Sequence, residues 1–350
     1  MIFFQKIALP LAWIYGSIVW CRRCLYEKGI FKTHTFKTPV IGVGNLSVGG
    51  SGKTPHVEFL VSEFSKNRKI AVLSRGYGRR TRGFIKVEPF HTAEQVGDEP
   101  LQYVRKFNSE CVGVFVCENR AEGIRNIEAH YHADCIILDD AYQHLRVHID
   151  FNILLTDYAR LFTQDFPLPA GRLREFRTAA KHTDFIVVTK CPELTVNDKN
   201  RIIESIRKYS LAPVDFSRVK YGNLKPFNFA AKAINFDPEK AEVLLLSGIA
   251  NPQIFISYME SQFNVFKILS FSDHHQFTKT DLLNIKNCFQ GHSKAILVTT
   301  EKDAMRLTHN IISEIPCFYL PMEVEIEIPI NTSSNSCFLN FVLNVESLFP

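Results

Sequence analysis

Residues 47–54 read Ser-Val-Gly-Gly-Ser-Gly-Lys-Thr, between an apolar run at 39–44 and a helical pattern that starts at Pro55. A strand, a glycine-rich loop and a helix in that order constrain the fold more than any other feature of the chain. The loop's backbone N–H groups curl around phosphate oxygens at a helix N-terminus, whose dipole favours negative charge. Ser47, Val48, Gly49, Gly50, Ser51 and Gly52 are therefore expected to line a nucleoside triphosphate. Lys53 is expected to reach its β- and γ-phosphates, and the Thr54 hydroxyl to ligate Mg²⁺. Ser47 stands where the pattern G-x-x-x-x-G-K-[ST] has glycine.

Apolar, β-rich runs recur at Val40–Gly44, Ile70–Ser74, Val112–Cys117, Cys135–Leu138, Ile153–Thr156, Phe185–Thr189, Val243–Ser247 and Ala295–Thr299, with helical stretches between them. Near-continuous hydrophobicity marks strands buried on both faces, as in parallel sheets covered by helices. The alternation predicts an α/β fold, with a P-loop-type parallel sheet, helices on both faces and a second, smaller α/β domain. The expected division is an N-terminal helix at 1–30, a P-loop domain at 31–150, a second domain at 151–325 and a tail at 326–350. Around 221–240 the sequence reads as an excursion or hairpin.

A chain of 350 residues, 46% hydrophobic and 22% charged, is globular and carries no disorder signature. The net charge of +5 does not mark a nucleic-acid binder, and it is compatible with a basic face toward anionic lipid or phosphate. No protein partner is implied. Nine cysteines, mostly inside apolar runs, read as small buried hydrophobes in a reducing compartment.

Residues 1–21 are apolar, with Trp13, Tyr15 and Trp20 suited to a membrane interface and a basic flank at Arg22, Arg23, Lys28, Lys32 and Lys37. Lys6, Gln5 and Pro10 interrupt a clean span. The segment is expected to associate with a membrane, either spanning it or lying on it; an amphipathic helix packed on the domain is the alternative.

Several motifs carry chemistry. The strand Cys135–Leu138 runs into Asp139 and Asp140, the arrangement by which P-loop enzymes hold Mg²⁺. Gly97-Asp98-Glu99-Pro100 offers two carboxylates ahead of a helix, one a candidate general base; an N-capping Asp98 with a first-turn Glu99 is the alternative. Arg75 and Tyr77 lie in a basic, glycine-rich loop suited to an anionic ligand. Arg172 and Arg174 offer a phosphoryl clamp or surface ion pairs. In Asp273-His274-His275 an Asp–His pair could tune a proton transfer. Thr189–Pro192 and Thr300–Asp303 miss the Asn/Thr-Lys-x-Asp pattern of guanine-specific enzymes, which disfavours a GTPase.

Taken together, Val43–Pro55, Ser74–Gly78, Gly97–Pro100, Asp139–His144, Leu168–Glu175, Asp273–His275 and Thr300–Asp303 resemble, in order, the tetraacyldisaccharide 4'-kinases, the lipid A kinases of Gram-negative bacteria. These kinases usually have Gly-Phe where this chain has Ala141-Tyr142. The resemblance implies transfer of the ATP γ-phosphate, with Mg²⁺, to the 4'-hydroxyl of a tetraacylated glucosamine disaccharide 1-phosphate at the cytoplasmic face of the inner membrane. It implies phosphate and metal contacts from Lys53 and Thr54, metal contacts from Asp139 and Asp140, and nucleotide contact from Arg172. Asp98 is the implied base, aided by a histidine of the Asp273–His275 segment, His274 ahead of His275. Asn45, Arg75, Tyr77, Glu99, Arg120, Gln143 and His144 are implied at the lipid headgroup. A membrane-anchored P-loop ATPase and a nucleotide-binding adaptor are the alternatives.

Overall fold

The computed structural model describes residues 2–107, 109–234, 241–292, 294–307 and 312–326, with side chains from Ile7 onward. The chain runs α1 (Ile2–Glu27), β1 (Val40–Asn45), α2 (Lys53–Phe64), β2 (Ile70–Ser74), β3 (Ile85–Lys86), α3 (Ala93–Val96), α4 (Asp98–Lys106), β4 (Val112–Val116), α5 (Arg120–His130), β5 (Cys135–Asp139), β6 (Phe151–Asp157) and β7 (Phe185–Thr189). It continues through α6 (Val196–Arg207), β8 (Val214–Tyr221), β9 (Lys225–Pro226), α7 (Phe229–Ala233), β10 (Glu242–Ser247), α8 (Gln253–Gln262), β11 (Asn264–Ser270), α9 (Lys279–Cys288), β12 (Ala295–Thr300), α10 (Glu301–Arg306), β13 (Cys317–Leu320) and β14 (Met322–Ile326).

Nine strands form one sheet in the order β14-β8-β7-β6-β1-β5-β2-β4-β3. Its interior pairs are parallel, and only the outermost pairs, β14 with β8 and β3 with β4, are antiparallel. Every residue of β1, β2, β4, β5 and β7 is buried. The two-residue period divides each strand between two cores. Ile41, Val43, Ile70, Val72 and Ile137 meet Val57, Leu60, Val61 and Phe64 of α2. Val40, Ala71, Leu73, Ile136 and Leu138 meet Ile124 and Ile127 of α5 on the opposite face. Helices thus cover both faces, and each fully buried aliphatic side chain stabilises the arrangement by roughly 1.5–3 kcal/mol.

The second sheet has the order β11-β10-β12-β13-β9. Val243, Leu245, Ile296 and Val298 face Phe255 and Met259 of α8, while Leu244, Leu246 and Leu297 face Leu282 and Ile285 of α9.

The break between the sheets differs from the division expected near 148–152. β6 pairs with β1 and carries β7 and β8 into the first sheet, so the chain leaves that sheet only after Tyr221. It returns at Met322, which pairs with Tyr221. Fully apolar strands look alike in sequence, so nothing in 151–157 tells which sheet it joins. The excursion expected at 221–240 holds β9 and α7, the link between sheets, and residues 235–240 lie outside the described residues, as does the tail at 327–350.

No helix among the described residues is long and apolar enough to cross a membrane, which removes the spanning reading of residues 1–21. α1 instead packs on the first sheet's surroundings. Arg23 and Glu175 form an almost fully buried ion pair at 2.7 Å, Trp13 meets Phe176 at 5.4 Å, and Ala8 and Ala12 pack with Ala170. Its other side leaves Ile7, Leu11, Ile14 and Ile18 exposed, at the four-three-four spacing of a single helical face.

Candidate active site

The phosphate loop leaves β1 at Asn45 and enters α2 at Lys53. Gly49 (φ +111°) and Gly52 (φ +82°) hold left-handed backbone that a side chain would strain. The loop is tied from outside. Val48 N–H donates to the Arg172 carbonyl (2.8 Å), Thr189 Oγ1 to the Ser51 carbonyl (3.0 Å), and Lys190 Nζ to the Gly50 carbonyl while pairing with Asp157 (2.7 Å). His56, pushed down to about 4 by burial, is neutral; its Nδ1–H donates to the Gly52 carbonyl (2.7 Å), leaving Nε2 to accept from Ser217 (3.0 Å). The first N–H groups of α2 have no intrahelical partner and remain for an anion.

Lys53 Nζ lies 3.2 Å from Asn45 Oδ1 and 3.3 Å from Asp140 Oδ1. The two aspartates at the end of β5 differ sharply. Asp139 is buried; its Oδ2 accepts from the Tyr103 hydroxyl (3.2 Å), and its Oδ1 takes no hydrogen bond among the described residues. Burial pushes the Asp139 carboxyl up, against the pull of Lys53. Asp140, in left-handed backbone (φ +53°), is half-exposed and paired with Arg174 at 3.0 Å. Burial would raise its carboxyl, but Lys53 and Arg174 hold it below its ordinary value.

A second cluster forms where α4 meets α10 and the loop after β11. Asp98 is only 3% exposed. Its Oδ2 lies 3.1 Å from His274 Nδ1, 3.7 Å from Lys302 Nζ and 3.8 Å from Arg306 Nε, yet accepts no well-aligned hydrogen bond. Burial opposes its ionisation, but His274, Glu99 and Lys302 outweigh it and keep Asp98 well below the carboxylate range. The adjacent Glu99, paired with Lys302 at 2.8 Å, is pushed up to about 7 by burial and by the Asp98 charge. Contact with Asp98 raises the His274 imidazole. Tyr103 links this cluster to the aspartates beside the phosphate loop, because it stands on the same helix as Asp98 and donates to Asp139.

The structure separates the adjacent histidines. His275 turns away, 3.0 Å from Asp281 and stacked on Phe271, while His274 (φ +57°) faces Asp98. Tyr77 is exposed and its ring lies 5.2 Å from that of His274. Arg75 is exposed, as is the Arg172 side chain beside the loop. Gln143 donates to the Asn45 carbonyl (3.0 Å) and accepts from Arg174 (3.1 Å). Burial and Arg120 push His144 down to about 4. Arg120, expected at the headgroup, is instead buried under β5, its guanidinium on the Cys117 (2.6 Å) and Asp139 (3.5 Å) carbonyls.

Mg²⁺ takes oxygen ligands, often only one or two carboxylates from the protein. Asp139, with a buried oxygen lacking any other partner, fits that demand beside Thr54; Asp140 is already occupied by two cations. Asp98, Glu99 and His274 also lie close enough to share an ion, but Lys302 sits among the same carboxylates. Sequence reasoning missed Lys302, Arg306, Tyr103 and Lys190. Lys302 belongs to the segment set aside as a failed guanine motif, and only the meeting of two sheets reveals its place.

A family model described as LpxK, tetraacyldisaccharide-1-P 4'-kinase, matches residues 4–337. The chain belongs to this family. Among curated members of the 4'-kinase family it is 42% identical over 328 residues to the tetraacyldisaccharide 4'-kinase of Flavobacterium psychrophilum, spanning 92% of this chain and 93% of the relative. It is 41% identical over 341 residues to that of Bacteroides thetaiotaomicron, spanning 92% and 89%. The family's fold is matched as well: the crystal structure of LpxK from Aquifex aeolicus in complex with ATP superposes with a TM-score of 0.75 at 28% identity, covering 99% of this chain and 100% of the other.

Proposed function

We propose that this protein is a lipid kinase that transfers the ATP γ-phosphate to the 4'-hydroxyl of a tetraacyldisaccharide 1-phosphate at a membrane surface, a step of lipid A biosynthesis. The observation that carries the mechanism is the Asp98–His274 contact, assembled from two sheets and joined through Tyr103 to Asp139 beside the phosphate loop.

In this reading Ser47 to Gly52 enclose the phosphates, Lys53 leaves Asp140 for the β- and γ-phosphates, and Arg172 swings in from solvent. Thr54 and Asp139 would hold Mg²⁺, with Asp140 the further candidate; when bound, the ion would neutralise charge on the phosphates. The sugar hydroxyl donates to the Asp98 carboxylate once the lipid's arrival uncovers it, Oδ2 being buried and without a well-aligned donor among the described residues. Its oxygen attacks the γ-phosphorus, the bond to the ADP oxygen breaks, and the proton passes to Asp98. A carboxylate held so low is a weak base. That suits a loose phosphoryl transfer, in which the proton leaves late and the carboxylate's main work is orientation. His274 and Lys302 keep Asp98 charged and in place. Arg75, Tyr77, Glu99, Gln143 and His144 form the surface facing the sugar and its 1-phosphate, with the buried Asn45 and Arg120 supporting it from below.

The acyl chains fix where this happens. Each CH₂ drawn into water costs about 0.8 kcal/mol, so the enzyme must come to the bilayer. The exposed apolar face of α1 supplies the contact without spanning, and the cytoplasmic face of the inner membrane is the surface where ATP is present. Transfer of labelled γ-phosphate to tetraacyldisaccharide 1-phosphate in detergent micelles tests the reading. A labelled bisphosphorylated lipid is expected; inorganic phosphate without labelled lipid makes the protein an ATPase instead.

A further inference from the structure

Beyond α1 the chain doubles back over α5, where Glu128 accepts from Lys37 N–H (2.8 Å) and Thr38 N–H (2.9 Å). Between the end of α1, this return segment and the start of α5 lies a concave pocket of about 300 Å³, lined by Tyr26, Phe31, Lys32, His34, Arg125 and Arg146 among others. It contains none of the residues placed above in the kinase site. No carboxylate lines it, and none of Lys32, Arg125 and Arg146 has an ion-pair partner among the described residues. Arg125 Nη2 donates to His34 Nδ1 at 3.2 Å, so that imidazole is neutral there. Desolvation, then the charges of Arg125, Lys32 and Arg146, push His34 below its ordinary value. Gathering like charges without a counter-charge is unfavourable unless an anion joins them.

Two aromatic rings also line the pocket. Tyr26 and Phe31 meet edge to face at 5.2 Å, and exposed Ile30 and Phe31 continue the apolar character of α1 past its end. Cations and aromatic rings lining one pocket suit a phosphate ester attached to something greasy. A free inorganic anion would use only the cations. We infer that this pocket holds the phosphate of an anionic bilayer phospholipid, distinct from the lipid that is phosphorylated. The inference rests on the membrane-surface reading of α1 and gives it a second, charge-selective contact.

Flotation of the full chain with phosphatidylcholine vesicles, with and without phosphatidylglycerol, tests it. The wild type is expected to bind the phosphatidylglycerol vesicles more tightly. Arg125→Gln with Arg146→Gln is expected to lose roughly tenfold or more of that gain, at about a factor of five per basic residue near the surface. Binding to phosphatidylcholine alone stays unchanged. Arg207→Gln with Lys208→Gln on α6, which removes the same charge, retains the gain. Equal losses in both double variants reduce the effect to diffuse attraction and overturn the pocket, as does no loss in either. If inorganic phosphate at millimolar concentration abolishes the gain at constant ionic strength, the ligand is a soluble phosphate and the lipid source is overturned. Lys32→Gln repeats the comparison should the double variant fail to fold, and kinase activity in micelles, retained by each pocket variant, reports folding. A wild type inactive in micelles contradicts the kinase reading, while flotation still decides the pocket.

Discussion

At the scale of single residues, the phosphate loop depends on groups outside its motif. Lys190, in left-handed backbone (φ +58°), reaches the Gly50 carbonyl and Asp157, and Thr189 takes the Ser51 carbonyl. With these carbonyls drawn outward, the loop's N–H groups are left for phosphate. Lys190→Met is therefore expected to weaken ATP binding about tenfold, near the 1–3 kcal/mol of a hydrogen bond to a charged group, with little change in melting temperature. Calorimetric titration with ATP checks it, and unchanged affinity removes Lys190 from the argument. The histidines give a second contrast. His275→Ala leaves the Asp98 contact intact and should cost stability only, whereas His274→Ala should lower kcat by the 10²–10⁴ typical of a proton-transfer partner. Steady-state kinetics on both variants distinguish the two roles.

At the scale of elements, α1 is held by a buried pair rather than by apolar packing alone. Removing one partner of such a pair leaves a buried charge, so Arg23→Met is expected to destabilise the protein by roughly 3–5 kcal/mol. Arg23→Met with Glu175→Leu should recover most of that loss in denaturant titration. The loop after β11 is held to α4 by His274, whose pKa is raised in the folded state by Asp98. Its stabilising contribution is therefore full below pH 6.5 and declines as pH rises through the raised folded value. His274→Gln should flatten the decline in stability as pH rises above the ordinary imidazole value of about 6.5. An unchanged profile contradicts the assignment.

The elements also show what the sequence made legible. All eight predicted strands exist, because central strands buried on both faces are unbroken apolar runs. β3, β8, β9, β11, β13 and β14 were missed: β3 and β9 are two residues long, and β8, β11 and β14 carry Asp215, Arg218 and Lys220, or Lys267, or Glu323 and Glu325, at or next to sheet edges where one side of the strand can stay wet. The phosphate loop, the paired aspartates and Asp98 were legible as motifs. The partners of Asp98 on α10 were not, since their relation to it exists only once two sheets meet. The same limit hid the division between sheets, which follows pairing rather than composition.

At the scale of the whole molecule, one end carries an exposed apolar stripe, and the reacting groups come from two sheets. Ile14→Ser with Ile18→Ser removes two side chains expected to enter the bilayer, each worth about 1.5 kcal/mol or more, and should weaken vesicle binding on the order of a hundredfold while leaving micellar activity nearly intact. The packing of α10 and the loop after β11 against α4 brings His274 and Lys302 to Asp98, the residue on which the proposed mechanism turns. The most direct test is the pair wild type and Asp98→Asn, each measured for ATP affinity and for labelled phosphate transfer to tetraacyldisaccharide 1-phosphate. Unchanged ATP affinity with transfer reduced by about a hundredfold or more is the predicted result. Transfer at the wild-type rate in Asp98→Asn would contradict it.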